Sequence, residues 1–298
     1  MPLQHVEAGD LVVAYEAFGP PGAPAAVLLH GFPYDVAAVR AAAERLAARG
    51  LHVVAPYLRG FGPTRFIDAA TRRSGQQAAL GHDLRAFIDA LALVRPVVAG
   101  FDWGGRAACI VAALWPERVA GLVSCGGYNI QDIPSAQTPL SPAMEARLWY
   151  QFYFHGERGR AGLTANRREL AWLLWRQWSP TWPVSRETFA ASAPAFDNPD
   201  FVDVVIHSYR HRYARVAGDP RFEATEARLV AQPAIAVPSI VLEGADSGLF
   251  AAAGTSALRR RFPRLVAHRV LAEVGHNPPQ EAPETFADAV VEVAGRRG

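Results

Sequence analysis

The chain has 298 residues, of which 30 are basic and 28 acidic, giving a formal charge of +2, and every basic residue other than histidine is arginine. With no lysine there is no side-chain amine for Schiff-base aldol chemistry, for anchoring pyridoxal phosphate, or for the phosphate-binding lysine of a P-loop. The arginines are scattered singly or in short runs such as Arg259 to Arg261, so there is no concentrated basic stripe for nucleic acid.

Half of the residues are apolar and 19% are charged, which predicts one large folded core, alone or with an insertion, rather than a disordered chain. Cys109 and Cys125 both sit in apolar surroundings, and the start MPLQHVEAGD lacks the basic-then-apolar pattern of a signal peptide. A reducing cytoplasm is the expected location. No apolar run approaches the roughly 18 residues that would span a bilayer, so no membrane partner is expected.

In chain order, Gln4 to Phe18 reads as an antiparallel edge hairpin around a central glycine. Buried strands are then expected at Ala25 to Leu29, Leu51 to Ala55, Pro96 to Ala99, Val119 to Ser124, Pro238 to Leu242 and Arg269 to Val274. Helices are expected at Ala37 to Ala48, Gln76 to Leu93 and Gly104 to Leu114, from their length and alanine content. Alternation of this kind predicts an α/β fold with a mostly parallel sheet covered on both faces. The rhythm breaks between Ile130 and Ala234, where five of the seven tryptophans lie: Trp149, Trp172, Trp175, Trp178 and Trp182. The expected organisation is therefore a core formed by residues 1–130 and 235–298, with a helical cap at 131–234 over the carboxyl ends of the strands, where open α/β sheets bind ligands.

The sharpest motif is Gly100-Phe101-Asp102-Trp103-Gly104-Gly105. It follows a strand and opens a helix, and its glycines permit the sharp turn of a nucleophile elbow, with aspartate at the position serine usually occupies. His30-Gly31-Phe32-Pro33 follows another strand, and the amides of Phe32 and Trp103 are candidate oxyanion donors. Gly275-His276 closes a third strand end, and a histidine there can serve as general base. Nucleophile, acid, then histidine is the triad order of α/β-hydrolases. The acid expected for this order is Asp246, in Glu243-Gly244-Ala245-Asp246-Ser247, with Glu243 and Asp132 as rivals.

These motifs, together with Arg59-Gly60-Phe61-Gly62, make the chain resemble an α/β-hydrolase, and within that superfamily the aspartate-nucleophile epoxide hydrolases and their haloalkane-dehalogenase neighbours. The resemblance implies that Trp149 to Phe154 and His207 to Arg210 carry the two cap tyrosines that hydrogen-bond an epoxide oxygen. By that match they are Tyr150 and Tyr209, with Tyr153 and Tyr213 nearby. It implies a vicinal diol formed from a small hydrophobic epoxide and water, with no metal or organic cofactor, in a monomer or homodimer. Haloalkane or haloacid dehalogenation by the same Asp/His pair is the implied alternative, since Arg106 matches the second arginine of the fluoroacetate-dehalogenase pattern whereas Trp103 stands in place of the first. A non-catalytic ligand-binding protein on the same fold is the other alternative.

Overall fold

The computed structural model describes residues 3–296. β1 (Gln4–Ala8) and β2 (Leu11–Phe18) form the antiparallel hairpin, turning at Gly9, whose φ is +59°. There follow β3 (Ala25–Leu29), α1 (Ala37–Ala48), β4 (His52–Pro56), a short β5 (Arg65–Phe66) that pairs with β2, and α2 (Gln77–Ala90). β6 (Val97–Phe101) runs directly into α3 (Asp102–Leu114), and β7 (Gly121–Cys125) precedes the long insertion.

The sheet order is β1-β2-β4-β3-β6-β7, continuing through β8 (Ser239–Gly244) to β9 (Leu265–Leu271). All neighbours from β4 to β9 are parallel. β3, β6, β7 and β8 are buried along their whole lengths. This explains their unbroken Val/Leu/Ala character, because a parallel strand with helices on both faces has no solvent side. β9 differs from its sequence expectation of a buried strand at Arg269 to Val274. It begins and ends earlier and is mostly part-exposed, because it is an edge strand bonded only to β8, and the chain turns at Glu273, whose φ is +58°.

Strand order reverses at β3. The chain goes from β3 outward to β4, then returns to place β6 on the other side, with Leu29 opposite Gly100. Such a switch point leaves a crevice beyond the carboxyl ends of the two strands. Here the two ends are the His30-Gly31-Phe32 turn and Asp102.

Between β7 and β8 the described residues form helices and no strand: α4 (Pro142–Arg147), α5 (Trp149–Tyr153), α6 (Glu157–Trp178), α7 (Arg186–Ser192), α8 (Phe201–His211) and α9 (Glu223–Val230). This segment is fastened to the loop after β3. The Trp175 indole N–H donates to the Pro33 carbonyl at 2.7 Å, its ring stacks on Tyr34 at 4.5 Å, and the Ser192 hydroxyl donates to Asp35. After β8 come α10 (Thr255–Arg261), β9, α11 (Pro278–Glu281) and α12 (Pro283–Ala294). No helix among the described residues is long and apolar enough to cross a membrane.

Candidate active site

Asp102 is the first residue of α3 and adopts φ +49°, a left-handed conformation that is unusual for a residue with a side chain. The glycines around it are sterically required. A Cβ on Gly100 would lie 2.8 Å from the Leu29 carbonyl, one on Gly104 would lie 2.3 Å from the His30 carbonyl, and one on Gly31 would lie 2.5 Å from the Asp102 Cβ. This close approach lets the Phe32 N–H donate to Asp102 Oδ1 at 2.8 Å. The Trp103 amide lies in the first turn of the same helix, where N–H groups have no intrahelical acceptor. Burial raises the Asp102 carboxyl pKa, but His276, Arg106 and the Phe32 amide outweigh it and hold the group below its ordinary value. Asp102 is therefore ionised at neutral pH.

The His30 ring is part of the scaffold. Its Nε2 accepts the Leu58 N–H at 3.0 Å, its Nδ1 lies 3.1 Å from the Gly31 carbonyl, and burial lowers its pKa to about 4. Arg59 is structural as well, gripping Asp83 with two hydrogen bonds of 2.6 Å and reaching the Ser74 carbonyl.

His276 faces the nucleophile, with its Nε2 3.7 Å from Asp102 Oδ2 and the edge of Trp178 packed on its ring at 5.1 Å. Its loop is held by two residues that the sequence did not single out. The Ser179 hydroxyl accepts the His276 N–H, and Glu281 receives the amides of Gly275 and Asn277 and the Ser179 hydroxyl. Glu281 lies five residues past the histidine on a one-turn helix, so it reads as an ordinary first-turn acid until the loop is folded back on it.

The three candidate acids are placed differently. Glu243 is occupied by His268 at 2.7 Å and by the Ala253 N–H. Asp132 is exposed and caps Ser135. Asp246 is partly buried, and its amide donates to the Val274 carbonyl beside the His276 loop. Its carboxylate has no hydrogen-bond or ion-pair partner among the described residues, and His276 is paired with no carboxylate other than Asp102. The structure thus puts Asp246 next to the histidine loop without joining it to the ring.

Tyr150 on α5 and Tyr209 on α8 are buried and meet edge to face at 5.4 Å. Tyr209 also packs on Phe32 at 5.4 Å and Trp103 at 6.2 Å, which places it over the elbow. The Tyr150 hydroxyl accepts from the Gln151 amide at 3.0 Å. Burial pushes both phenol pKa values above the usual value. Tyr153 turns away, its hydroxyl lying against Gly162 of α6, and the Tyr213 hydroxyl donates to Gln151 at 3.1 Å. Asp102, His276 and Tyr150 line one cavity of about 1050 Å³, together with Arg106, Gln151 and Arg212. Gln151 and Arg212 carried no sequence signal, because helix positions reveal a shared cavity only when the helices are packed.

A parallel sheet with an elbow at its switch point defines a class, and the chain belongs to the alpha/beta hydrolase fold family, whose family model matches residues 24–283. Within it, the chain is similar to Epoxide hydrolase A of Mycobacterium tuberculosis, 32% identical over 136 residues, 46% of this chain and 41% of that protein. It is also similar to Epoxide hydrolase B of the same organism, 30% identical over 202 residues, 61% of this chain and 54% of the other. The matched stretches span only about half the length of these curated relatives. A crystal structure from Klebsiella pneumoniae, provisionally described as an epoxide hydrolase, matches with a TM-score of 0.95 and 45% identity over 98% of this chain and 97% of that one.

Proposed function

We propose that this protein is an epoxide hydrolase working through an alkyl-enzyme ester on Asp102. The observation that carries the reading is an ionised, part-buried carboxylate at the elbow, held by the Phe32 amide and sharing its cavity with His276 and Tyr150, against which the buried Tyr209 ring packs. An Asp102 oxygen attacks a ring carbon, forming a C–O bond as the ring C–O bond breaks. The ring oxygen takes the electron pair and then a proton from Tyr150 or Tyr209, whose raised pKa values keep them protonated until that charge develops. His276 removes a proton from water, which attacks the ester carbonyl. The amides of Phe32 and Trp103 hold the oxyanion; on collapse the departing diol oxygen takes the proton from His276, and the Asp102 acid so formed returns a proton to the tyrosinate, regenerating the carboxylate.

In this reading Asp246 orients His276 by turning its uncommitted carboxylate toward Nδ1, since Glu243 and Asp132 already have partners. Residues 131–234 act as the cap. The apolar side chains on the cavity wall, Ile130, Leu148, Tyr150, Leu249 and Leu258 among them, support an apolar or aryl group on the substrate.

Styrene oxide tests the assignment, with diol formation as the expected result. Tyr150→Phe and Tyr209→Phe should each lower kcat/KM by about 10- to 100-fold, because a charge-assisted hydrogen bond to the leaving oxygen is lost while the ring stays packed. Tyr153→Phe should change it by less than about threefold. Circular dichroism and thermal melting check that the variants fold. If Tyr153 proves the sensitive position, the tyrosine assignment is wrong.

A second reading, dehalogenation, is favoured by one observation: the indole nitrogens of Trp103 and Trp178 are both buried without a partner. Two such N–H groups near the nucleophile suit a departing halide. Halide release from a haloalkane panel, with no diol from epoxides, would establish it.

A further inference from the structure

Among the described residues three arginines are buried to within a tenth of their surface: Arg59 at 1% exposed, Arg106 at 8% and Arg212 at 9%. Burying a cation costs several kcal/mol unless an anion and hydrogen bonds compensate it. Arg59 follows that rule, with Asp83 bound bidentately. Arg106 and Arg212 do not. Arg106 donates from Nε to the Asn129 carbonyl at 3.3 Å. Arg212 makes one long contact from Nη1 to Gln151 Oε1 at 3.5 Å, and its Nε and Nη2 are buried with no partner. Neither forms an ion pair with a carboxylate among the described residues, and both line the cavity that contains Asp102, Tyr150 and His276.

Their positions relate directly to the reacting groups. Arg106 follows Asp102 by four residues on α3, one helical turn along the same face. The Arg212 guanidinium sits 4.2 Å over the Tyr209 ring, three residues past it at the end of α8. The other carboxylates lining the cavity are engaged elsewhere, Asp132 and Glu145 with the backbone amides of Ser135 and Leu140, and Glu243 with His268 and the Ala253 amide. Burial, with repulsion from Arg212 second, pulls the Arg106 guanidinium down to about 10.

We infer that Arg106 and Arg212 form an anion subsite within the catalytic cavity, so that the preferred substrate is an epoxide bearing a carboxylate a few bonds from its ring. The inference rests on the epoxide hydrolase reading and narrows its substrate class from apolar epoxides to epoxy acids with an apolar or aryl group. Formal charge supports it. At rest, Asp102 and the two buried arginines sum to +1, and a substrate carboxylate brings this group of charges to zero. Alkylation converts Asp102 into a neutral ester and moves its charge to the opened oxygen or the tyrosine that protonates it, so the sum stays at zero. With a neutral epoxide the arginines keep one uncompensated charge throughout.

The test compares 3-phenylglycidate with its methyl ester, which has the same ring and aryl group but no charge. In the wild type kcat/KM should favour the acid by about 100-fold, the scale of a desolvated charge-assisted pair. In Arg212→Gln and Arg106→Gln that ratio should fall at least about tenfold, whatever happens to absolute turnover, with thermal melting to verify folding. Calorimetric binding of unreactive 3-phenylpropanoate and its amide supplies an arm independent of epoxide chemistry. The acid should bind the wild type at least about tenfold tighter than the amide, and the two should converge in Arg212→Gln. Equal or better turnover of the ester, or an acid-to-ester ratio insensitive to both substitutions, overturns the anion subsite while leaving epoxide hydrolysis intact. If neither epoxide is opened, the reaction assignment has failed, and the binding arm alone decides the subsite: tighter binding of the acid sustains it and equal binding overturns it.

Discussion

Asp102→Asn is expected to remove at least about 10⁴-fold of the rate of diol formation, equivalent to about 5 kcal/mol of transition-state stabilisation. Asparagine is the informative replacement. Residue 102 has φ +49°, which asparagine tolerates and alanine tolerates poorly, so the amide preserves the turn while removing the charge and most of the nucleophilicity. Asp102→Ala should show the same loss of activity with a lower melting temperature. In the wild type, single-turnover alkylation should stay level from about pH 8 down to about pH 5. It should decline only as Asp102 protonates, below the ordinary carboxylate value of about 4. The sign follows from the depressed pKa: the reactive anion predominates above it and is lost as pH falls through it. Retention of more than about a hundredth of the wild-type rate in the asparagine variant, measured by product chromatography, would exclude a carboxylate nucleophile.

The second large effect separates the two half-reactions. His276→Gln should still be alkylated, because attack by an ionised carboxylate needs no base, but its ester should hydrolyse about 10³-fold more slowly or worse. Intact-protein mass spectrometry after mixing with styrene oxide should show a gain of one epoxide mass, and digestion should place it on Asp102. The glutamine keeps the His276 backbone N–H that binds Ser179, and the loop is clamped by Glu281 through Gly275 and Asn277, so it should hold its shape. Absence of any adduct alongside an active wild type would exclude the covalent route. Absence of both adduct and turnover across a broad epoxide panel would favour a ligand-binding role for the fold.

The parts of this arrangement that were legible in the sequence are local. The uninterrupted apolar runs at Ala25 to Leu29 and Pro96 to Ala99 read as strands buried on both faces, and the folded strands β3 and β6 lie there. A glycine two residues before and two after Asp102 is a steric requirement of a single turn, and His30 to Pro33 and Gly275-His276 stand at strand ends for similar short-range reasons. Even the absence of lysine pointed toward a carboxylate nucleophile once the elbow offered no serine.

Relations between distant segments were decided only in three dimensions. The edge status of β9 depends on which strand it lies beside, so its limits were misplaced. The occupation of Glu243 by His268 requires two neighbouring strands in register, with Val241 opposite His268. The clamp of Glu281 and Ser179 on the His276 loop joins residues about a hundred positions apart. Arg212 looks like a solvated helix charge in the sequence, and Arg106, although it matches an arginine of the fluoroacetate-dehalogenase pattern, carries no local sign of being buried without an ion pair. Burial depends on what packs against a residue, and only the folded chain leaves both arginines buried, without an ion pair among the described residues, in the wall of the cavity that contains Asp102.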